Sequence, residues 1–266
     1  MNCNDRTFVI TGASSGIGKE LAIKLAKLGA NLVLAARNKD GLIKVADECL
    51  KNGGKAIVVP TDVTLASECE ILIKKAIEEY NAIDCLINNA GIGMWGKFEK
   101  VEDLSIFEKI MQVNYLGSVY CTHYALPYLK KSQGLLVAIS SLTGKFGVPT
   151  RTGYAASKHA MQGFFDSLRV ELRATGVDVL IVSPGFVNTD IRQRLLGTDG
   201  KIISAKNQPP KAMSTEVCAD LILEAIAKRK RELVMTFKGR LGVWFKPLLP
   251  NLIDSIAARS VGLNNK

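Results

Sequence analysis

The sequence contains few of the residues that metal sites and hydrolytic triads require. Histidine occurs only twice in 266 residues, as His123 and His159. A Ser-His-Asp triad is hard to build, because His159 adjoins Lys158 on one predicted helix and faces elsewhere. The six cysteines show no Cys-x-x-Cys pair and no zinc-ligand spacing. The sequence therefore predicts no metal site and disfavours chemistry that depends on histidine.

Long apolar runs are also missing. No window approaches the ~18 uninterrupted apolar residues of a membrane-spanning helix. Residues Asn2 to Arg6 are polar, and the apolar run behind them is only as long as a strand, so we expect no signal peptide. Because no disulfide framework is evident either, we expect a reduced, cytoplasmic protein. No linker or repeat interrupts the chain, and we expect one domain over residues 1–266.

The net charge of +10 is concentrated near the C-terminus. Residues 201–266 carry twelve Lys and Arg against five Asp and Glu. Anionic lipid, nucleic acid or an acidic substrate could each meet such a segment. A solvated surface is the more common outcome, and we expect no nucleic-acid partner.

The most informative stretch is Thr11-Gly12-Ala13-Ser14-Ser15-Gly16-Ile17-Gly18. It follows the apolar run Phe8-Val9-Ile10 and opens the amphipathic segment from Lys19 to Leu28, which predicts a strand, a glycine turn and a helix. Glycines in such a turn allow a sharp bend, close approach to a ligand and tight helix packing. Unpaired N–H groups and the helix dipole favour a phosphate there.

Three other interpretations of this turn are possible from the motif. A P-loop does not fit, because Glu20 stands where Ser or Thr should bind magnesium. A hydrolase nucleophile elbow matches Gly12 to Gly16, but it needs earlier strands, and only eleven residues precede Gly12. A glycine turn without a ligand stays open on this motif alone.

Strand and helix patterns alternate along the chain. Further strands are predicted at 31–35, 56–59, 83–87, 135–139 and 177–182, with helices at 39–51, 65–80, 103–131 and 153–174. Pro127 is expected to bend or shorten the third of these helices. The alternation predicts an α/β protein, a doubly wound parallel sheet of the Rossmann type between two helical layers.

Two positions indicate a cofactor and a reaction. Arg37 follows the second predicted strand, where a carboxylate would bind the ribose of NAD and an arginine accommodates the 2′-phosphate of NADP. Tyr154 and Lys158 lie four residues apart on one helix face, and a nearby cation lowers the pKa of a phenol from ~10. With Ser141 as a hydrogen-bond donor, they form an acid–base set for a carbonyl or alcohol while a cofactor moves the hydride.

Together these motifs resemble the short-chain dehydrogenase/reductase family, in its NADP-preferring, hydroxysteroid-dehydrogenase-like branch. The resemblance covers residues 7–189 and carries in family order the glycine turn, Asp62-Val63, Asn88 to Gly91, Asn114, Ser141, Tyr154 with Lys158, and Pro184-Gly185 to Thr189.

The resemblance implies roles for single residues. Tyr154 would be the acid/base, Ser141 would orient the substrate oxygen, Lys158 would bind the nicotinamide ribose, and Asn114 would hold a water in a proton relay. Ser141 is chosen over Ser140 because the family's serine usually lies thirteen residues before its tyrosine. NADP(H) would contact Gly12, Ser14, Ser15, Gly16, Ile17, Gly18, Arg37, Asp62, Val63, Asn89, Ala90, Gly91, Tyr154, Lys158, Pro184, Gly185, Val187 and Thr189.

Some relatives place a second basic residue at the position of Ser15, so the preference for NADP(H) depends mainly on Arg37. The resemblance also implies a homodimer or a dimer-based tetramer, paired through helices at about 103–131 and 152–174. It places a variable substrate loop at about 190–213.

The sequence says less about the residues that bind the substrate. With Ser141 and Tyr154, the apolar residues Trp95, Phe146, Val148 and Phe186 could bind a lipophilic carbonyl or alcohol, or the apolar residues could merely pack the loop. The C-terminal extension at about 236–266 is apolar with basic flanks. It could touch a membrane surface peripherally, cap the pocket or pack on a second subunit, and a protein-packed role is slightly preferred.

Two functions are compatible with these residues. The favoured one is an NADP(H)-dependent oxidoreductase that acts on a small-molecule carbonyl or alcohol. The alternative is an NADP(H)-binding sensor or scaffold without turnover. The intact set of Asn114, Ser141, Tyr154 and Lys158 favours the enzyme, because a sensor has no need of proton-handling residues.

Overall fold

The computed structural model describes residues 3–203 and 212–262. Over these residues, alternating strands and helices form one parallel sheet with a helical layer on each face, as the sequence predicts. The strands are β1 (Thr7–Thr11), β2 (Asn31–Ala36), β3 (Lys55–Pro60), β4 (Cys85–Asn88), β5 (Leu135–Ile139), β6 (Asp178–Ser183), β7 (Leu195–Leu196), β8 (Ile202–Ile203) and β9 (Glu232–Val234).

The helices connect these strands and continue beyond the sheet. They are α1 (Gly16–Ala26), α2 (Lys39–Lys51), α3 (Ala66–Tyr80), α4 (Ser105–Met111), α5 (Gly117–Ser132), α6 (Thr152–Glu171), α7 (Thr215–Ala227), α8 (Phe237–Phe245) and α9 (Pro250–Ser260).

The strand order creates the crevice in which such folds bind ligands. The main sheet runs β3-β2-β1-β4-β5-β6-β9 with every pair parallel, while β7 and β8 form a separate antiparallel hairpin. The order reverses between β1 and β4, so the connections that leave these two strands diverge. The glycine turn after β1 and the segment after β4 therefore face each other at the carboxyl edge of the sheet.

The core consists of one apolar layer on each side of the sheet. All five residues of β1 are buried, as a parallel strand covered on both faces requires. Leu21 and Ile222 belong to the layer formed with α1, α2 and α7. Leu72 and Phe165 belong to the layer formed with α3, α5 and α6. Every residue of β1 and β4 is buried, so these two strands lie in the middle of the core.

The helix predicted at 103–131 differs from the prediction. It is divided into α4 and α5 by a π-helical turn at Gln112–Leu116, and α5 continues past Pro127 to Ser132. Pro127 therefore does not shorten the helix. Proline removes the donor for the carbonyl four residues earlier, and His123, which carries that carbonyl, is exposed and can be solvated. Ala125 and Leu129 meanwhile anchor this part of α5 in the core.

The C-terminal third contains the elements that the sequence left unassigned. These are the β7–β8 hairpin, α7, the edge strand β9 and the short helices α8 and α9. Part of the expected substrate loop, residues 204–211, lies outside the described residues, as do residues 263–266 of the C-terminal extension. Within the described ranges, the helices are all too short or too polar to cross a bilayer.

Candidate active site

The glycine turn has the geometry that its sequence predicts. Gly12 and Gly16 adopt φ angles of +66° and +57°, a region that side chains rarely occupy. A Cβ atom at Gly18 would lie 2.5 Å from the carbonyl oxygen of Gly12. The absence of a side chain at Gly18 therefore lets α1 pack directly on the turn, with its N-terminus beside the open crevice.

Asn89 ties this turn to the neighbouring strand. Its side-chain amide donates to the carbonyl oxygens of Thr11, at 2.9 Å, and Gly12, at 3.2 Å. In return, the Thr11 hydroxyl accepts from the backbone N–H groups of Asn89 and Ala90. These bonds fix the crevice between β1 and β4 before any ligand binds.

A cleft of about 1030 Å³ runs along this carboxyl edge. It brings together most of the residues that the sequence selected. Those that line it are Gly12, Ser14, Ser15, Gly16, Ile17, Arg37, Asp62, Val63, Asn89, Ala90, Gly91, Ser141, Tyr154, Lys158, Pro184, Gly185, Phe186, Val187 and Thr189. Gly18, Asn114 and Phe146 lie outside the lining.

At one end of the cleft, Arg37 lies near the carboxylate of Asp62. The guanidinium and carboxylate are 4.0 Å apart, and the Arg37 side chain is 70% exposed. Asp62 is also held locally, because it accepts hydrogen bonds from the backbone N–H and the hydroxyl of Thr64. Arg37 is thus an exposed cation at the end of the cleft, beside a carboxylate that is held by Thr64.

Tyr154 lies at the other end of the cleft, with Ser141. Tyr154 packs against the small apolar cluster of Met94, Ile106 and Ile110. Burial raises the pKa of Tyr154 above its ordinary value of 10.0, while a hydrogen bond with Ser141 and the charge of Arg151 act in the opposite direction. The expectation that the cation beside Tyr154 lowers its pKa is therefore wrong, because desolvation of the phenolate dominates.

Lys158 is the buried cation of the site. It is 3% exposed, and its ammonium donates to the carbonyl oxygen of Ile139 at 2.8 Å. Burial lowers the pKa of Lys158 from 10.5 to about 8. Part of the Lys158 population is therefore neutral at slightly alkaline pH.

Asn114 uses its side chain to hold the segment after β4. Its amide oxygen accepts from the N–H of Ile92 at 2.8 Å, and its amide nitrogen donates to the carbonyl oxygen of Ile92 and the hydroxyl of Ser157. Both amide hydrogens are thus used within the protein. The side chain of Asn114 positions the cleft wall, and a relay water would need an acceptor atom of this residue rather than a donor.

Arg151 is a cleft residue that the sequence reasoning missed. It precedes α6 and lines the cleft three positions before Tyr154. Its guanidinium carbon lies 4.9 Å from the ring centre of Trp95 and 5.4 Å from that of Phe186. The signal available in the sequence was a cation within one turn of the tyrosine, but the spacing alone does not show that the guanidinium points into the cleft.

The apolar wall near Tyr154 differs from the expected one. Phe186 lines the cleft, as predicted, together with apolar residues that include Met94, Leu195 and Leu196. The prediction for Phe146 is corrected: this ring lies beside α8, where a Cβ atom at Gly242 would approach it to 3.3 Å. Trp95 and Val148 are also outside the lining.

The fold and the cleft together define a class of protein. A doubly wound parallel sheet, with a glycine turn at its switch point and a tyrosine–lysine pair in the same crevice, is a nucleotide-binding α/β enzyme fold. The family model for short chain dehydrogenases matches residues 6–199. The chain belongs to the short-chain dehydrogenase/reductase family of oxidoreductases, in its hydroxysteroid-dehydrogenase-like branch.

Relatives and solved structures agree with this assignment. A dehydrogenase/reductase SDR family protein 7-like of Dictyostelium discoideum is 40% identical over 94% of this chain and 80% of its own length. An 11-beta-hydroxysteroid dehydrogenase-like 4A of Arabidopsis thaliana is 35% identical over 97% and 85%.

Two structural neighbours were solved with different nucleotides. A short-chain dehydrogenase/reductase from Burkholderia phymatum, in complex with NAD, has a TM-score of 0.84 and 26% identity over 95% of this chain and 96% of its own. An alcohol dehydrogenase from Thermococcus sibiricus, complexed with 5-hydroxy-NADP, has a TM-score of 0.75 and 27% identity over 86% and 93%. These neighbours do not distinguish NAD from NADP.

Proposed function

We propose that this protein is an NADP(H)-dependent oxidoreductase that interconverts a carbonyl and a secondary alcohol, with Tyr154 as the acid/base. The observation that carries the proposal is the placement of Ser141, Tyr154 and Lys158 in the same cleft as the glycine turn. A turn with free N–H groups suits a pyrophosphate, and the phenol lies where a reacting oxygen can be protonated.

The residues along the cleft support the binding of a dinucleotide. Gly12 and Gly16 have positive φ angles and shape the turn at the N-terminus of α1, where phosphates of a dinucleotide would bind to backbone N–H groups. Arg37 would pair with the 2′-phosphate of NADP(H), and Lys158 would donate to the nicotinamide ribose. When bound, the nicotinamide supplies or accepts the hydride.

The protein's own residues handle the proton. In carbonyl reduction, Tyr154 donates its phenolic proton to the oxygen that gains negative charge, while Ser141 donates a hydrogen bond to the same oxygen. The raised pKa of Tyr154 keeps this proton in place at neutral pH. In alcohol oxidation, the phenolate must accept the proton instead, and the positive charge of Arg151 favours that form.

The apolar wall supports a lipophilic substrate. Met94, Phe186, Leu195 and Leu196 border the half of the cleft that contains Tyr154. An apolar lining with a few convergent polar groups is typical of small-molecule sites. The polar groups are the Ser141 and Tyr154 hydroxyls, which match one carbonyl or hydroxyl group of a largely hydrocarbon molecule.

The experiment that tests this function is NADPH oxidation measured across a panel of lipophilic ketones and aldehydes. We expect turnover, and we expect Tyr154→Phe to reduce kcat/KM by about 10²- to 10⁴-fold while NADPH binding is retained. Tyr128→Phe, outside the cleft on α5, serves as the matched control. NADPH binding without turnover on any substrate would instead support the sensor or scaffold.

We also propose a homodimer or a dimer-based tetramer that pairs through α5 and α6. Val170 on α6 is 64% exposed, and pairing through this helix could bury it. Sedimentation velocity of the purified chain tests this assembly, and a monomeric mass in dilute solution would contradict it.

A further inference from the structure

Arg151 places a positive charge in the half of the cleft that contains Tyr154. It immediately precedes α6, three positions before Tyr154, and lines the cleft. The backbone N–H of Ala155 donates to the carbonyl oxygen of Arg151 at 2.8 Å, so Arg151 belongs to the first turn of the helix. Residues three apart on a helix are neighbours. The guanidinium and the phenol can therefore contact different groups of one small molecule.

Two aromatic rings hold the guanidinium of Arg151. Its central carbon lies 4.9 Å from the ring centre of Trp95 and 5.4 Å from that of Phe186. The backbone N–H of Gly96 donates to the carbonyl oxygen of Thr150 at 2.9 Å, which fixes the segment of Trp95 beside the start of α6. Contact between a cation and a ring uses the charge and not the N–H donors. The ring contacts therefore restrict Arg151 and leave its charge in place.

The charges around Arg151 favour an anion. Apart from Arg37 and Asp62 at the other end, six charged residues among those that the structure describes line the cleft, and four of them are cations. They are Lys109, Arg151, Lys158, Arg194, Glu108 and Asp190. The first turn of α6 contains no acidic residue, so the positive end of its dipole is not offset there. The potential in this half of the cleft suits a negatively charged group on the ligand.

A carboxylate is the anion that this arrangement fits best. A guanidinium presents its N–H donors as a planar fork that matches the two oxygens of a carboxylate. The nearby wall of Met94, Leu195 and Leu196 is apolar, so a doubly charged phosphate would cost more to desolvate than a singly charged group. We propose that Arg151 binds a carboxylate of the substrate, which makes the substrates lipophilic oxo acids and the corresponding hydroxy acids.

Binding at two points would orient such a molecule in the cleft. Ser141 and Tyr154 would contact the carbonyl oxygen, Arg151 would contact the carboxylate, and the hydrocarbon part would lie on the apolar wall. A substrate held in one orientation reacts faster than one that binds in several. This role of Arg151 in catalysis rests on the proposed function, whereas recognition of the carboxylate itself requires no turnover.

The test compares phenyl ketones that carry a carboxylate with their methyl esters. Benzoylformate, ω-benzoylpropionate and ω-benzoylbutyrate place the carboxylate at increasing distance from the carbonyl. Each is titrated into the full chain with NADP⁺ present, because the oxidised coenzyme cannot reduce a ketone and binding is then measured alone. Trp95 reports binding by its fluorescence in a Trp244→Phe background, since the sequence has two tryptophans and Trp244 is 80% exposed outside the cleft lining.

We expect at least one acid to bind about ten- to a hundredfold more tightly than its ester. Arg151→Met should abolish this preference, and Arg151→Lys, which keeps the charge, should restore part of it. The matched control is Arg194→Met, which removes another guanidinium that lines the cleft and should leave the preference unchanged. NADPH binding should be the same in every variant and reports that the fold is intact.

Two results would overturn the proposal. The first is that no acid binds more tightly than its ester, or that Arg151→Met leaves the preference unchanged. The second is an equal loss in Arg151→Met and Arg194→Met, because that outcome assigns the preference to the general potential of the cleft. Equal kcat/KM values for acids and esters would contradict this proposal and keep the proposed enzyme. Selective binding of acids without turnover of any ketone would keep the carboxylate site and contradict the enzyme.

Discussion

The ammonium nitrogen of Lys158 lies 5.9 Å from the centre of the Tyr154 ring, one helical turn away. The Lys158 ammonium donates hydrogen bonds to the carbonyl oxygen of Ile139, at 2.8 Å, and to the sulfur of Met161, at 3.9 Å. Burial is the dominant influence on both groups and favours their neutral forms, so the pKa of Tyr154 is raised and that of Lys158 is lowered. At neutral pH the phenol of Tyr154 therefore keeps its proton, and Lys158 loses its proton more easily than an exposed lysine does.

The lowered pKa of Lys158 predicts a pH-dependent stability. Below pH 8 the ammonium is charged in both states, and the folded state bears the full desolvation cost. Between pH 8 and 10.5 only the unfolded state holds the proton, so this cost disappears as pH rises. Relative to Lys158→Met, the wild type should gain up to about 3 kcal/mol of unfolding free energy across that interval.

Urea unfolding at a series of pH values measures this difference. Loss of the donor to Ile139 in Lys158→Met offsets part of its advantage at neutral pH, but that loss does not vary with pH. The comparison thus depends on slopes, and stability curves that run parallel from pH 8 to 10.5 would refute the lowered pKa.

Arg151 should set the pH at which alcohols are oxidised. Its charge lowers the pKa of Tyr154, so Arg151→Met should raise that pKa. Oxidation needs the phenolate, and the rise of kcat/KM with pH should therefore move to higher pH. Lys109→Met removes another cleft cation that has no resolved influence on Tyr154. An equal displacement of both pH–rate profiles would show a general charge effect instead.

Ser141 and its neighbour Ser140 form a matched pair. The Ser140 hydroxyl is buried and turned toward the backbone carbonyl of Lys158, at 3.5 Å. The Ser141 hydroxyl forms a hydrogen bond with the side chain of Tyr154. We expect Ser141→Ala to lower kcat/KM by about 10²- to 10³-fold and Ser140→Ala to have little effect. The reverse ranking would show that the wrong serine was selected.

Arg37 should determine the choice of coenzyme. Arg37→Asp removes the partner of the 2′-phosphate and repels that group, so the preference for NADPH over NADH should fall by about ten- to a hundredfold. Lys39→Asp, which changes another exposed cation, in the first turn of α2, should leave the ratio unchanged. The ratio of kcat/KM with the two coenzymes is the readout, and an unaltered ratio in Arg37→Asp would contradict the role assigned to Arg37.

Gly18 and Gly163 should differ sharply in their tolerance of alanine. A Cβ atom at Gly18 would meet the carbonyl oxygen of Gly12 at 2.5 Å, whereas one at Gly163 would have open space around it. Gly18→Ala should cost about 1–3 kcal/mol of unfolding free energy because backbone atoms must shift. Gly163→Ala should gain up to about 1 kcal/mol from helix propensity. Thermal or urea unfolding compares them, and equal stabilities would contradict the packing described.

The sequence determined those features whose causes are local. The spacing of apolar residues along the chain predicted the alternation of strands and helices. β5 and α2 have the bounds that this pattern predicted. The glycine turn could be predicted because Gly12 and Gly16 have positive φ angles, which only glycine adopts easily. The four-residue spacing of Tyr154 and Lys158 likewise put both on one helix face.

The tertiary structure decided what depends on groups distant in sequence. Whether a charge or burial governs the pKa of Tyr154 depends on Ser141, Arg151 and the surrounding apolar cluster. Phe146 lies beside α8 and not in the expected pocket, and the absence of a side chain at Gly242 leaves room for its ring. The exposure of Trp244 followed from the way α8 packs on Leu142, which no periodicity in the chain reveals. Backbone preferences depend on each residue and its neighbours in sequence. Desolvation and packing depend on residues that only the folded chain brings together.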